Sequence, residues 1–408
     1  MRECARITDR DGHRRSINHL PPTRSSRLPS MIHEYWYEPT RRPRVKTSGR
    51  WVRERYAMIP TCTQRGKNGW ATPGAYLAMT TRFRDLPWQQ TPDGSRRRVG
   101  VEIEMAGVAL DVMAEAVRDE FGGQISSEGP FVTHVRDTEF GDFEVELDAR
   151  VLKDRRYREH LKRLGIELDA EDSATLDRWL ADAAGRLVPH EIVAPPVSLE
   201  VLPRIDRVRA ALQKKGARGT ESSLLYAFGL QLNIEAHSLE ADWLTSILKA
   251  FVLLYDALVK AGNIDFSRQL SPYIKPFPGS YVRHVLQPGY RPDIQELIDD
   301  YLEHNPTRNR PLDMLPLFAW IDRGRVMAAA VERDLIKPRP ALHYRLPNCE
   351  IDDPDWTLAR PFNGWAQVEH LAADPERLAA AGSEYLQRPA QALGQFADEW
   401  AKRIRDWF

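Results

Sequence analysis

The sequence predicts an α+β fold in which helices cover one face of an antiparallel sheet. Three observations lead there. Strand and helix patterns alternate over the first half of the patterned region, helical periods dominate the second half, and the strands alternate apolar with acidic residues, so each has one apolar and one polar face. No internal repeat interrupts this order.

From Val99 the chain reads VGVEIEMAGV, a strand alternation, and then ALDVMAEAVRDEFGG, a helix with apolar positions three and four apart that closes on Gly122 and Gly123. FVTHVRD and DFEVELDARVL both have strand character. A polar helical insertion from about Asp154 to Arg186 follows, then the strand HEIVAPP. Leu202, Ile205, Val208 and Leu212 sit at helical spacing in the next segment, and LLYAFGLQLNIEA after it reads as a strand. The rest is helical apart from Pro-rich loops and one late strand, ALHYRLPNC. The organisation predicted is a basic, disordered extension over residues 1–78, a catalytic domain over 79–350, and a helical part over 351–408 packed on it.

The extension stands apart in charge. It carries 16 Lys and Arg against 6 Asp and Glu, within a chain whose formal net charge is zero, so the remainder is acidic. Pieces such as LPPTRSSRLPS and EPTRRPRVKTSGR show no sustained period. An alternative is that this is upstream sequence translated ahead of a start at Met79. Aromatics (Tyr35, Trp36, Tyr37, Trp51, Trp70) interleave with the basic residues, but no recognition fold accompanies them, which argues against a nucleic-acid partner.

Bulk properties exclude several classes. At 408 residues and 42% hydrophobic the chain can bury a large core. No run reaches the roughly 18 apolar residues of a membrane span. The richest stretch, 247–259, is interrupted by Lys249 and Asp256 and reads as a buried amphipathic helix. The N-terminus lacks the apolar stretch of a secretory signal. Three scattered cysteines suit neither a disulfide framework nor zinc, and fit a reducing cytoplasm. GxxxxGK(S/T), GxGxxG after a strand and HExxH are all missing, which disfavours a P-loop ATPase, a Rossmann enzyme and a zincin.

The candidate chemistry lies in the acids. Side chains two apart leave a strand on the same face, so Glu102 and Glu104 point one way while Val101, Ile103 and Met105 point the other. Asp142, Glu144, Glu146 and Asp148 share a face by the same arithmetic. One such strand alone reads as the solvated face of a half-exposed sheet. Two of them, with Glu191, are less easily explained so, because aligned like charges on neighbouring strands repel without a counter-ion. Mg²⁺, a hard cation that prefers oxygen ligands and bridges carboxylates to nucleotide phosphates, would remove that repulsion.

RRVGVEIEMAG resembles the opening strand of the amidoligase family, a branch of the carboxylate-amine ligases related to glutamine synthetase and glutamate-cysteine ligase. HEIVAPPVSL is similar to a second family element, Glu-(Ile/Leu)-Val-(Ser/Thr/Ala)-Pro-Pro, and puts Glu191 at its glutamate. YAFGLQLNIEA stands where these ligases carry Gly-x-His-x-His or a polar variant. Gln231 and Asn233 replace the histidines, so hydrogen bonding to nucleotide or substrate is the expected role there, and Glu235 continues the face. TRNRPLDMLPLF and HYRLPNC resemble arginine-bearing segments, and Arg310 and Arg345 are the expected clamps on phosphate or carboxylate. The likeness spans residues 93–349.

The resemblance implies a curved antiparallel sheet of the glutamine synthetase-like catalytic type. It also implies an ATP- and Mg²⁺-dependent ligase, with Mn²⁺ as the alternative ion. A substrate carboxylate would take the γ-phosphoryl group of ATP to form an acyl phosphate, and an amine or ammonia would displace phosphate. Glu102, Glu104, Glu144, Glu146, Asp148 and Glu191 would hold metal, Gln231, Asn233 and Arg345 would bind nucleotide, and Glu104, Glu191, Arg310 and Arg345 would serve the chemistry. One acid would act as base toward the amine. The partners implied are small-molecule or peptide carboxylates and amines, with a homo-oligomer compatible and no membrane. A metal-dependent phosphotransferase or hydrolase on the same scaffold, or a non-catalytic nucleotide-binding relative, stays open as the alternative.

Overall fold

The computed structural model describes residues 81–129, 131–147, 190–220, 228–264 and 274–388. The extension over residues 1–78, the insertion from about Asp154 to Arg186, and Asp148 lie outside the described residues.

Nine strands form one sheet among the described residues: β1 (Arg98–Met105), β2 (Gln124–Glu128), β3 (Val132–Thr138), β4 (Gly141–Leu147), β5 (His190–Val193), β6 (Val197–Ser198), β7 (Leu230–Glu235), β8 (Leu312–Asp313) and β9 (Ala341–Tyr344). Their order is β2-β3-β4-β5-β1-β7-β9-β8, with β6 against the start of β1, and every pairing is antiparallel. The strands expected from alternation are present. β2 and β8 were not expected: QISSE has no apolar alternation, and a two-residue strand is too short to show a period.

Nine α-helices accompany the sheet among the described residues: α1 (Leu110–Phe121), α2 (Leu202–Lys214), α3 (Ala241–Ala261), α4 (Gly279–Val285), α5 (Ile294–His304), α6 (Leu315–Ile321), α7 (Arg323–Ala328), α8 (Ala359–Ala372) and α9 (Pro375–Gln387). The chain is therefore a mixed α/β protein with a single antiparallel sheet. No helix among the described residues is long and apolar enough to cross a membrane.

Alternation explains how the sheet divides. Val99, Val101, Ile103 and Met105 are buried beneath the helices, whereas Glu102 and Glu104 between them are only partly buried. α1 turns Met113, Val117 and Phe121 onto β3 and β4, and Phe121 stacks on Phe143 with ring centroids 4.9 Å apart. Gly122 ends that helix at φ 74°, a conformation natural to glycine. The apolar stretch over 247–259 lies within α3, which is packed by α4, α5, α8 and α9. Burying each of its Leu, Ile and Phe side chains contributes about 1.5–3 kcal/mol relative to exposure.

A fully buried ion pair ties α8 to the start of the sheet. Arg97 Nη1 and Nη2 donate to the two carboxylate oxygens of Glu369, both at 2.8 Å. Arg97 also donates from Nε to Glu235 O and from Nη1 to Trp88 O, and Trp365 Nε1 donates to Glu369. The result is a closed network with few unsatisfied atoms.

Candidate active site on the polar face of the sheet

Register converts the alternating acids into rows. Glu104 of β1 lies opposite Glu191 of β5, and Glu191 on its other side lies opposite Glu146 of β4. Neighbouring strands are about 4.8 Å apart, so three carboxylates follow one another across the sheet. In the next row Val193 separates Glu102 from Glu144, and Glu102 faces Gln231 of β7 on its other side. Asn233 pairs with His343 of β9, which pairs with Asp313 of β8. One polar layer thus runs from the acids of β4 to the β8 edge.

A hydrogen-bond network fixes the middle of this layer. Glu102 Oε1 accepts from Gln231 Nε2 at 3.1 Å and from Asn233 Nδ2 at 2.7 Å, and Gln231 Nε2 also donates to Asn233 Oδ1 at 2.7 Å. Gly100 lies opposite Asn233, and a Cβ there would be in ordinary contact with the asparagine at 3.4 Å. Glu104 Oε2 accepts from the backbone N–H of Gly229 at 2.6 Å. Among the described residues no group of three or more His, Cys, Asp and Glu is placed to hold a metal ion.

Cations border the acids. Lys337 and Arg339, in the loop before β9, lie within electrostatic reach of the face: Lys337 feels Glu144, Glu146 and Glu102, and Arg339 feels Glu102 and Asp313. Burial is the main cause that lowers both groups below their ordinary values; Arg339 lowers Lys337 further, and the acids oppose the shift in each case. At the β8 end Arg308 Nε is 3.7 Å from Asp313 Oδ2. Asp313 is fully buried, and desolvation raises its carboxyl above the ordinary value although Arg308 and Arg345 pull it down. His343 is also fully buried. Desolvation first, and then Arg339, Arg308 and Arg345, hold it well below the usual imidazole value, so it is neutral.

The expected site residues divide accordingly. Glu102, Glu104, Glu144, Glu146, Glu191, Gln231 and Asn233 share the polar face, and Arg345 lies at its β8–β9 end near Asp313 and His343. Arg310 does not join them: its guanidinium donates to the backbone carbonyls of Lys275, Pro276 and His304 and lies over Phe277. Glu235 is engaged by Arg98 at 2.9 Å, and Asp142 accepts from the backbone N–H of Asp137 in the β3–β4 turn. Sequence reasoning missed Arg308, Asp313, Lys337 and Arg339. The available signal was thin: basic residues flanked by prolines in KPRPAL, just ahead of a strand, and a lone aspartate before an apolar run.

The antiparallel sheet thus carries carboxylates and amides on one face, bordered by cations, and a helix-packed core on the other. The chain belongs to the amidoligase family: the family model described as "Putative amidoligase enzyme" matches residues 95–367. No curated protein and no solved structure matches it.

Proposed function

We propose that this protein is an ATP- and Mg²⁺-dependent carboxylate-amine ligase whose sheet is of the glutamine synthetase-like type and which acts in the cytoplasm on small-molecule or peptide substrates. The observation that carries this reading is the file of Glu104, Glu191 and Glu146 on three adjacent strands, next to amides and guanidinium groups on the same face. Hard oxygen donors of this kind suit Mg²⁺ or Mn²⁺; no three of them converge on one point among the described residues, so Glu102, Glu104, Glu144, Glu146 and Glu191 would hold the ion by turning their side chains toward it, and there it would neutralise phosphoryl oxygens.

A carboxylate needs activation before an amine can displace its oxygen. In the proposed reaction a substrate carboxylate oxygen attacks the γ-phosphorus of ATP, the bond to ADP breaks, and an acyl phosphate forms. The amine nitrogen then attacks the acyl carbon, phosphate leaves, and an acid of the face takes the amine proton. Gln231 and Asn233 orient nucleotide or substrate through their amides, and Arg345 binds phosphate or carboxylate. Arg310, whose Nη1 and Nη2 donate to backbone carbonyls, gives way to Arg339 in that role.

The test incubates the protein with Mg²⁺-ATP and a panel of amino acids, polyamines and short peptides, scoring ADP and the mass of new amides. Amine-dependent ADP release with a matching amide supports the ligase. ADP release that ignores the amine would instead indicate a phosphotransferase or hydrolase on the same face.

A further inference from the structure

His343 carries a donor that the fold leaves unused. Gln231 Nε2 stands 3.3 Å from His343 Nδ1. The orientation of that amide is fixed by its other neighbours, because Glu102 Oε1 and Asn233 Oδ1 are acceptors and the atom facing them is the nitrogen. Both hydrogens of that amide are taken by Glu102 and Asn233, and its nitrogen cannot accept, so a proton on Nδ1 would face a group with no lone pair to offer; the proton of the neutral imidazole therefore sits on Nε2. Nε2 is buried in a residue with 0% exposure and has no hydrogen-bond partner among the described residues. An orphaned buried donor is costly unless something accepts from it.

Its surroundings specify the acceptor. Arg308, Arg339 and Arg345 all lie close enough to disfavour a positive charge on His343, and Asp313 across the β8–β9 pair is the one acid that register puts directly opposite. Arg308 and Arg345 are partly exposed, while Arg308 Nε and Arg345 Nε and Nη1 are buried on the side of the cluster. We propose that the Nε2–H of His343 is the buried donor of an oxyanion subsite completed by the guanidinium groups of Arg308, Arg339 and Arg345. The subsite receives one phosphoryl or carboxylate group of the reactants, and in naming that group it rests on the ligase reading. Gln231 connects it to Glu102, so a single amide sets both the carboxylate and the tautomer of the imidazole.

Two variants of the full chain separate the donor from its support. His343→Gln keeps an N–H near the position of Nε2, whereas His343→Asn keeps an acceptor for Gln231 and loses the far donor. Titration calorimetry with inorganic phosphate, and in a second arm acetate, reads the subsite without turnover. We expect the unaltered protein and His343→Gln to bind within about threefold of each other and His343→Asn to bind about tenfold or more weakly. Preference for phosphate assigns the phosphoryl group and preference for acetate the substrate carboxylate. Equal affinities for the two variants, retained or lost, overturn the proposal, as does an unaltered protein that binds neither anion. ADP release with Mg²⁺-ATP is measured beside it: a Gln–Asn split without ADP would leave the subsite and remove the ligase, and ADP without the split would do the reverse.

Discussion

Two buried charged clusters in this protein use the same residue types and end differently. Arg97 and Glu369 meet through two parallel bonds at 2.8 Å, both side chains fully buried, with Trp88, Glu235 and Trp365 using further polar atoms. Arg308 and Asp313 stand 3.7 Å apart, and Arg308 Nε, Asp313 Oδ2 and the neighbouring His343 Nε2 have no hydrogen bond among the described residues. A saturated cluster has nothing to offer a ligand and acts as a tie between α8 and the sheet. A cluster with orphaned atoms is less stable alone and better suited to take up an outside group.

The largest effect should come from breaking the saturated pair. Glu369→Gln leaves a buried guanidinium without its counter-charge and should lower stability by about 3–5 kcal/mol. Urea denaturation measures it. A loss below about 1 kcal/mol would erase the contrast, because it would mean that the closed network contributes no more than a surface pair.

On the polar face the same kind of change should act on turnover instead. Glu104→Gln and Glu191→Gln are expected to lower kcat at least about 100-fold. For Glu104→Gln the stability change should stay below about 1.5 kcal/mol, since the amide oxygen can still accept from Gly229. A variant that keeps full ligase turnover would remove these acids from the chemistry.

Arg310 and Arg345 sharpen the division further. Arg310→Gln strands three backbone carbonyls and should reduce stability by about 1–3 kcal/mol while changing turnover less than about threefold. Arg345→Lys should do the opposite, raising KM for the anionic substrate with little loss of stability. Equal kinetic defects in both would return Arg310 to the site.

These two arginines also mark how far the sequence could be read. Glu102, Glu104, Glu144 and Glu146 were legible because strand alternation puts them on one face whatever the rest of the chain does. Glu191 needed its Pro-Pro context, since HEIV alone does not reveal its neighbours. Nothing local distinguishes Arg308 from Arg310 in TRNR, yet one approaches Asp313 and the other caps carbonyls of a distant loop. That choice is made by long-range packing. Lys337 and Arg339 were hidden for the same reason: KPRP announces a loop but not that the loop comes within reach of the acids. Arg97 is one of three consecutive arginines, and its partner Glu369 lies 272 residues away, beyond the reach of any local pattern.

The smallest expected effect tests the unsaturated cluster by pH. Burial raises the Asp313 carboxyl above its ordinary 3.8, against the pull of Arg308 and Arg345. A raised acid favours folding while it is protonated in both states and loses that contribution as pH climbs from the unfolded value toward the folded one. Asp313→Asn has no proton to lose. Its stability relative to the unaltered protein should therefore increase as pH rises above about 4, with no such trend below it. Paired denaturation curves from pH 3 to pH 8 would show this. A gap that runs the other way would mean the arginines hold Asp313 as an ordinary ion pair, and the difference between the two clusters would then lie in their geometry alone.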